Sequence, residues 1–251
     1  MLLGGILLQG YITHGLNDYF DWQSGTDRDN PAWLSGGSHA VQSGRLLPED
    51  VRAIAYLAIA LYLALLLALS LWRGGIFALL GLPALVTAAA YSVPPMRLGY
   101  RPLLGEWLGM FPAIAAGVLA AGYAAGGVLA PERWAVAAIN GILCNASVME
   151  HHLADVDLDW DAQPRKGMSP AFWQKAIGRP GSEVAMAYSL LAWRISPRFL
   201  LTAALGLLAA AFARGTRVGD RTDETRRDGL LKAIALLNAV GFAAFALLGA
   251  H

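Results

Sequence analysis

The sequence predicts an all-α membrane protein, a single-domain bundle of about eight transmembrane helices over residues 1–251. Of its 251 residues, 56% are hydrophobic and only 15% are charged, whereas a soluble domain carries about 25% charged residues. The mean hydropathy is +0.47. The net charge of +1 provides no overall field that would recruit nucleic acid. We therefore expect a multi-pass membrane protein whose surroundings are lipid and which has no nucleic-acid partner.

The apolar runs set the predicted helices. The first run, 2–17, is shorter than the ~20 residues of a spanning helix, so we expect the helix to continue toward Phe20. The stretch 183–214 is interrupted by Arg194, Pro197 and Arg198, and it is too long for one straight span. We interpret it as two short helices. The remaining helices are predicted at about 50–72, 76–92, 104–124, 132–150 and 229–248.

The basic residues predict the sidedness of the bundle. Polar loops are expected at about 18–49, 92–105, 151–182 and 214–228. These loops and the helix starts beside them hold all but four of the 19 Lys and Arg residues: Arg28, Arg45, Arg52, Arg97, Arg101, Arg165, Lys166, Lys175, Arg179, Arg214, Arg217, Arg221, Arg226, Arg227 and Lys232. Because basic residues accumulate on the cytoplasmic side of membrane proteins, this set of loops is predicted to be cytoplasmic.

Two acidic stretches end apolar runs on that predicted cytoplasmic side. His14, Asn17, Asp18 and Asp21 follow the spacing i, i+3, i+4 and i+7, which places them on one face of a helix. The second stretch repeats this spacing with His152, Asp155 and Asp159. Carboxylates cost roughly 2.5 kcal/mol or more each at the centre of a membrane helix. Two such clusters that can face one another indicate a site for divalent metal and a polyanion.

The donor types favour Mg²⁺ and a diphosphate. Mg²⁺ takes oxygen ligands, usually one or two carboxylates with waters and substrate phosphates. Arg97, Arg101, Arg165 and Lys166 are candidates for charge-assisted bonds to phosphate oxygens. A diphosphate neutralised in this way becomes a good leaving group.

Three motifs resemble the UbiA superfamily of intramembrane prenyltransferases. They are Asn17-Asp-x-x-Asp21 followed by Gly25-Thr26-Asp27, the later Asp155-x-x-x-Asp159, and the segment from Tyr91 to Glu106 that contains Pro94-Pro95, Arg97, Tyr100 and Arg101. The branch that looks most similar prenylates 1,4-dihydroxy-2-naphthoate in menaquinone synthesis. Relative to that family's usual pattern, the chain begins at the second helix.

The resemblance implies a helical bundle with Mg²⁺ and a prenyl diphosphate at its cytoplasmic mouth. It implies transfer of the prenyl group to a ring carbon of an aromatic acceptor, in a bacterial-type inner or cell membrane. The residues that match its metal motifs are Asn17, Asp18, Asp21, Asp155 and Asp159. Substrate-binding roles are implied for Asn17, Tyr91, Arg97 and Arg101, and we add Arg165 and Lys166. Asp27 matches an acidic position of the naphthoate branch.

His14 and His152 stand where relatives tend to carry Asn. Each is a candidate base for the acceptor hydroxyl, or a support that hydrogen-bonds a neighbouring aspartate. The sequence also allows simpler roles for the acidic and basic residues, because Asp18 and Asp21 could cap a helix, and Arg97 and Arg101 could be membrane anchors. The rival function is a non-catalytic or transporter-like membrane protein that retains the aspartate-rich motifs.

Overall fold

The computed structural model describes residues 1–28, 37–101, 103–152, 182–214 and 220–248. Within these ranges the chain is helical and contains no strand, so the predicted all-α class is confirmed. The described residues form eight helices, as the sequence predicts. They are α1 (residues 2–24), α2 (Pro48–Arg73), α3 (Ile76–Ser92), α4 (Gly105–Gly126), α5 (Pro131–His151), α6 (Ser182–Ala192), α7 (Phe199–Arg214) and α8 (Arg221–Leu248).

The ambiguous stretch between residues 183 and 214 is divided as expected. Helix α6 ends at Ala192, and α7 begins at Phe199. Backbone hydrogen bonds from the amides of Ile195 and Ser196 to the Ala192 carbonyl close the turn between them. Because Pro197 cannot donate a backbone hydrogen bond, a continuous helix is disfavoured there.

Two helix ends differ from the boundaries that the sequence predicts. Helix α1 is predicted to continue toward Phe20 and in fact extends to Ser24, into the predicted loop, and it ends where Gly25 adopts a left-handed conformation with φ of +84°. Helix α8 begins at Arg221, ahead of the predicted position 229, because the Asp220 carboxylate accepts hydrogen bonds from the amides of Thr222 and Asp223. Both acidic residues of the first motif are therefore helical.

The helices pack as a continuous series around two larger apolar cores and a smaller one between α7 and α8. Helices α1, α2 and α3 share a core that includes the buried side chains of Ile12, Leu16 and Ala55. Helices α5, α6 and α7 share a second core around Ile139 and Phe199. Contacts between α4 and α5 join these groups, and α8 packs against both α5 and α7.

The outer surface of the bundle is apolar. Helices α2 and α4 are long and apolar enough to cross a bilayer by length and composition, and α3 and residues 199–212 of α7 are shorter apolar helices. Large side chains such as Leu71 and Leu191 remain more than 70% exposed. An exposed apolar surface of this kind requires a lipid environment.

Candidate active site

The first aspartate motif lies on the last three turns of α1. Asn17 and Asp18 are half-buried, whereas the side chain of Asp21 is fully buried. The Ser92 hydroxyl, at the end of α3, donates to the Asn17 side-chain oxygen at 3.2 Å. Helical spacing thus places the three predicted ligands on one face, and packing against α3 holds the first of them.

The loop after α1 returns to the Asp18 carboxylate. The backbone amide of Ser38 lies 3.2 Å and 3.3 Å from the two Asp18 oxygens. The neighbouring Gly37 has a φ of +79°, and a Cβ built on it would lie 2.7 Å from an Asp18 oxygen and 3.1 Å from an oxygen of the buried Asp27. Two carboxylates therefore converge beside the bare backbone of Gly37.

Tyr100 connects the loop between α3 and α4 to the end of α1. Its hydroxyl donates to the Asp21 carboxylate at 2.5 Å. The hydroxyls of Ser24 and Thr26 lie 3.0 Å and 3.3 Å from the same phenol oxygen. Burial raises the pKa of Tyr100 above its ordinary value, so the phenol keeps its proton at neutral pH and serves as a donor.

The two predicted arginines of this loop occupy different positions. Arg97 has a φ of +41°, and its guanidinium lies over the Tyr100 ring, 5.5 Å from the ring centroid. Its Nε is buried and makes no hydrogen bond to a described residue. Arg101 is exposed and donates to the Pro95 carbonyl at 3.5 Å. Arg97 thus lies against Tyr100, which binds Asp21 of the first motif, and Arg101 lies at the loop surface.

The Tyr91 ring packs among three glycines. Cβ atoms built on Gly99, Gly105 and Gly109 would lie 2.8 Å, 3.0 Å and 3.0 Å from their nearest neighbours, which are Tyr91 ring atoms at Gly99 and Gly109 and the Gly99 Cα at Gly105. The ring accordingly holds the loop against the start of α4. Its predicted contact with substrate stays a prediction.

Histidines of α1 and of the end of α5 lie close to one another. The His14 side chain is exposed and interacts electrostatically with Asp18, His151 and His152. The rings of His151 and His152 meet edge-to-face with centroids 5.8 Å apart. His14 and His152, which were predicted to share one cavity, are therefore neighbours across two helices.

Asp228 extends this histidine cluster to α8. One oxygen of the buried Asp228 carboxylate lies 3.4 Å from His151 Nδ1, and the other lies 2.7 Å from Lys232 Nζ. Burial raises the pKa of Asp228, but the interactions of its carboxylate with the His151 imidazole and the Lys232 ammonium group outweigh burial and hold the pKa below its ordinary value. The polar end of α8 is thereby tied to the end of α5.

The second predicted motif cannot be placed against these groups. Asp155 and Asp159, with the basic residues Arg165 and Lys166, lie outside the described residues. Among the residues that are described, no group of three or more His, Cys, Asp or Glu side chains converges in a metal-binding arrangement. The shared cavity of the two motifs stays a prediction.

A comparison with protein families assigns the chain. The model of the UbiA prenyltransferase family matches residues 1–237, nearly the whole length. The chain belongs to this family. UbiA membership carries prenyltransferase activity in membranes. No curated protein and no solved structure gives a match.

The described half of the site fits the Mg²⁺ that UbiA enzymes generally use. The half-buried Asn17 and Asp18 offer oxygen donors, and oxygen is the donor that Mg²⁺ requires. The Asp18 and Asp27 carboxylates converge beside Gly37, and like charges this close favour a cation between or beside them. The donor chemistry is that of a hard divalent ion.

Two residues of the site were missed by the reasoning from sequence. Tyr100 lay within a motif that was recognised, three residues after Arg97, but its partner Asp21 is distant in sequence. Asp228 carried one local signal, the spacing i, i+4 to Lys232. That spacing is typical of any solvent-exposed helical ion pair, so it could not indicate contact with His151.

Proposed function

We propose that this chain transfers a prenyl group from a prenyl diphosphate to a ring carbon of an aromatic acceptor, with Mg²⁺ at the diphosphate. The acceptor that we propose is a quinone precursor similar to 1,4-dihydroxy-2-naphthoate. The observation that carries the proposal is that Asp18 and Asp27 converge at the end of α1, with Arg97 linked to the same motif through Tyr100, in a chain of the UbiA family. Carboxylates for a cation beside a guanidinium for phosphate oxygens suit a diphosphate group.

Different residues would bind the Mg²⁺ ion and the phosphate oxygens of the diphosphate. Asn17, Asp18 and Asp27, with Asp155 and Asp159 of the second motif, would hold Mg²⁺. When bound, Mg²⁺ neutralises charge on the diphosphate and makes it a better leaving group. Arg97 has a buried Nε that can donate to a phosphate oxygen. The exposed Arg101 can reach the same group only from the loop surface, so we assign it the weaker contact.

The reaction is a substitution at the first carbon of the prenyl group. The bond between that carbon and the diphosphate oxygen breaks, and its electron pair leaves with the diphosphate. An aromatic ring carbon supplies the electron pair of the new bond, and the acceptor loses one proton overall. His14 and His152 are the candidate groups for accepting this proton, because a neutral imidazole is a suitable base near neutral pH.

The surroundings supply the remaining requirements of such a reaction. An apolar prenyl tail suits a helical bundle whose outer surface faces lipid. We propose that the mouth of the site opens on the cytoplasmic side, because the loops around it carry most of the basic residues. The chain would then be a multi-pass protein of a bacterial-type cell membrane.

The test uses the purified protein in detergent or nanodiscs. It is incubated with labelled prenyl diphosphates of graded chain length and a panel of aromatic acceptors, with Mg²⁺ or with EDTA, and the products are identified by mass. We expect a prenylated aromatic product that forms only with the metal. If no pair of prenyl diphosphate and aromatic acceptor gives a product, the non-catalytic or transporter-like function is favoured.

A further inference from the structure

We propose that Tyr100 is a positioning residue for the diphosphate site: its hydroxyl fixes the Asp21 carboxylate and ties the loop that carries Arg97 to the end of α1. The effect on catalysis rests on the function proposed above, but the mechanical link does not. The sequence pattern by itself assigns Tyr100 no such role.

The number of hydrogens on each group determines the direction of the hydrogen bonds around Tyr100. The Ser24 hydroxyl donates its one hydrogen to the Asp21 backbone carbonyl at 3.0 Å, so it has none left to donate elsewhere. The carboxylate of Asp21 only accepts, and therefore the Tyr100 hydroxyl donates to it. The Thr26 hydroxyl, 2.8 Å from Ser24 Oγ and 3.3 Å from the phenol oxygen, has the remaining hydrogen and can donate it to either oxygen. The phenol thus binds the Asp21 carboxylate and contacts the hydroxyls of Ser24 and Thr26 at the end of α1.

The burial of Asp21 makes this donor important. Its side chain is fully buried, and a buried carboxylate needs hydrogen bonds that replace its hydration. A hydrogen bond to a charged group is worth more than one between neutral groups. Removing the phenol hydroxyl would leave the carboxylate with one hydrogen bond fewer and its orientation less strictly fixed.

The Tyr100 side chain also holds the loop between α3 and α4 that carries Arg97. Tyr100 closes the short 3₁₀ turn Leu98–Tyr100, whose Gly99 packs on the Tyr91 ring. The Arg97 guanidinium stacks on the Tyr100 ring. Because Arg97 also has an unusual positive φ, its side-chain direction depends on how this turn is held. The hydroxyl of Tyr100 therefore sets the position of Arg97 relative to Asp21.

The decisive variant is Tyr100→Phe, which keeps the ring and its stacking with Arg97 and removes only the hydroxyl. The matched control is Tyr11→Phe, because Tyr11 lies exposed on helix α1, whose end Tyr100 contacts. Hydrogen–deuterium exchange of the protein without substrate is followed at the amides of residues 97–101. We expect exchange about tenfold faster in Tyr100→Phe and unchanged in the control.

Kinetics of the protein with Mg²⁺ provide the second readout. We expect Tyr100→Phe to raise KM for the prenyl diphosphate about tenfold and to leave KM for the aromatic acceptor close to wild type. A purely structural role would instead disturb the binding of both substrates. Thr26→Val, which keeps the side-chain shape and removes one donor, should act in the same direction with a smaller effect.

Unchanged exchange at residues 97–101 in Tyr100→Phe would overturn the proposal, as would equal effects on both substrates. If Tyr100→Phe does not fold, unchanged exchange in Thr26→Val has the same meaning. Exchange is measured without substrate, so a wild-type protein that transfers no prenyl group would defeat the proposed function and leave the loop result intact.

Discussion

At the scale of single residues, the aspartates of the first motif stand in different environments. Asp21 is fully buried and accepts a hydrogen bond from Tyr100, whereas Asp18 is half-buried and accepts from the backbone amide of Ser38. A carboxylate that keeps contact with solvent can exchange its hydrogen bonds for a metal ion at less cost than a buried one. We therefore expect Asp18 to contact Mg²⁺ directly. We expect the position of the Asp21 carboxylate to depend on its hydrogen bond from Tyr100.

The variant Asp18→Ala tests the metal role. It should lower kcat about 100-fold or more, because the charge on the departing diphosphate would lose stabilisation by the metal. Asp155→Ala should behave alike, and its control is Asp157→Ala, because Asp157 falls outside the i, i+3 and i+7 spacing of His152, Asp155 and Asp159. Steady-state rates against Mg²⁺ concentration measure the effect. Near-native rates in both Asp18→Ala and Asp155→Ala would contradict the assignment of metal ligands.

The variant His14→Asn separates the two roles left open for this histidine. A proton-accepting His14 predicts a lower kcat at an unchanged KM for the prenyl diphosphate, since the base acts after binding. We expect this outcome because His14 is exposed beside Asp18 and His152. The measurement is the rate of His14→Asn and of His152→Asn against the wild type. Full activity in both variants would leave the histidines as supports of the neighbouring carboxylates.

At the scale of helices and loops, close backbone approach governs the loop between α3 and α4. A Cβ at Gly105 would lie 3.0 Å from the Gly99 Cα and 3.1 Å from the Tyr91 ring. Backbone atoms cannot move aside as a flexible side chain can. The loop, the Tyr91 ring and the start of α4 therefore form one packed unit beneath the site.

Gly105→Ala should lower the thermal stability, by about 1–3 kcal/mol for overpacking of this kind. The control is Gly117→Ala on the same helix α4, where a Cβ would meet nothing within 4 Å. Alanine is favoured over glycine inside a helix, so the control should be neutral or stabilising. Thermal melts in one detergent compare the two. Equal melting temperatures would show that the loop adjusts to the added methyl group.

The contact between α5 and α8 makes a pH-dependent contribution to stability. The pKa of Asp228 is lower in the folded protein than its ordinary value of 3.8. The stabilisation is therefore fully present above this ordinary pKa and is lost as the pH falls through the lower folded-state pKa. Asp228→Asn should cost about 1–2 kcal/mol at neutral pH, and the difference from wild type should vanish in strong acid.

The comparison for Asp228→Asn is Asp223→Asn, one turn earlier on α8. Asp223 pairs with Arg227 at 2.9 Å but is more exposed than Asp228, so its replacement should cost less. Melting temperatures between neutral and acid pH measure both variants. A difference for Asp228→Asn that persists unchanged into acid would contradict the ion-pair contribution.

At the scale of the whole molecule, the site depends on which loops share a side of the bundle. The loops after α1 and between α3 and α4, together with the first turns of α8, all contribute to it or to its supports. The first of these also holds Leu46, whereas Glu132 at the start of α5 lies at the other end of its helix from His151. The bundle should therefore expose these two positions on opposite faces of the membrane.

Single-cysteine labelling tests this sidedness. Cys144 is the only natural cysteine, and Cys144→Ala removes it before Leu46→Cys or Glu132→Cys is introduced. We expect a membrane-impermeant maleimide to label Leu46→Cys only in inside-out vesicles and Glu132→Cys only in intact cells, because the basic loops lie in the cytoplasm. Labelling of both positions from the same face would contradict the eight-span topology.

Local patterns were enough to predict the helical class, eight helices and the break between α6 and α7. Apolar run length, helical spacing and proline position act within a few turns of chain, so no knowledge of packing was needed. The same local spacing placed Asn17, Asp18 and Asp21 on one face, although it missed the extension of α1 to Ser24. The family resemblance drawn from the motifs was confirmed at the level of the superfamily.

The tertiary structure alone decided which groups face the motif residues. The partners of Asp21, Asp18 and Asp228 are Tyr100, the Ser38 amide and His151, each distant in sequence. Such pairs follow from how helices and loops pack, and packing depends on the shapes of all the neighbouring side chains together. Periodicity along the chain can place a carboxylate on a helix face, but only the packed bundle determines which hydroxyl, amide or imidazole meets it.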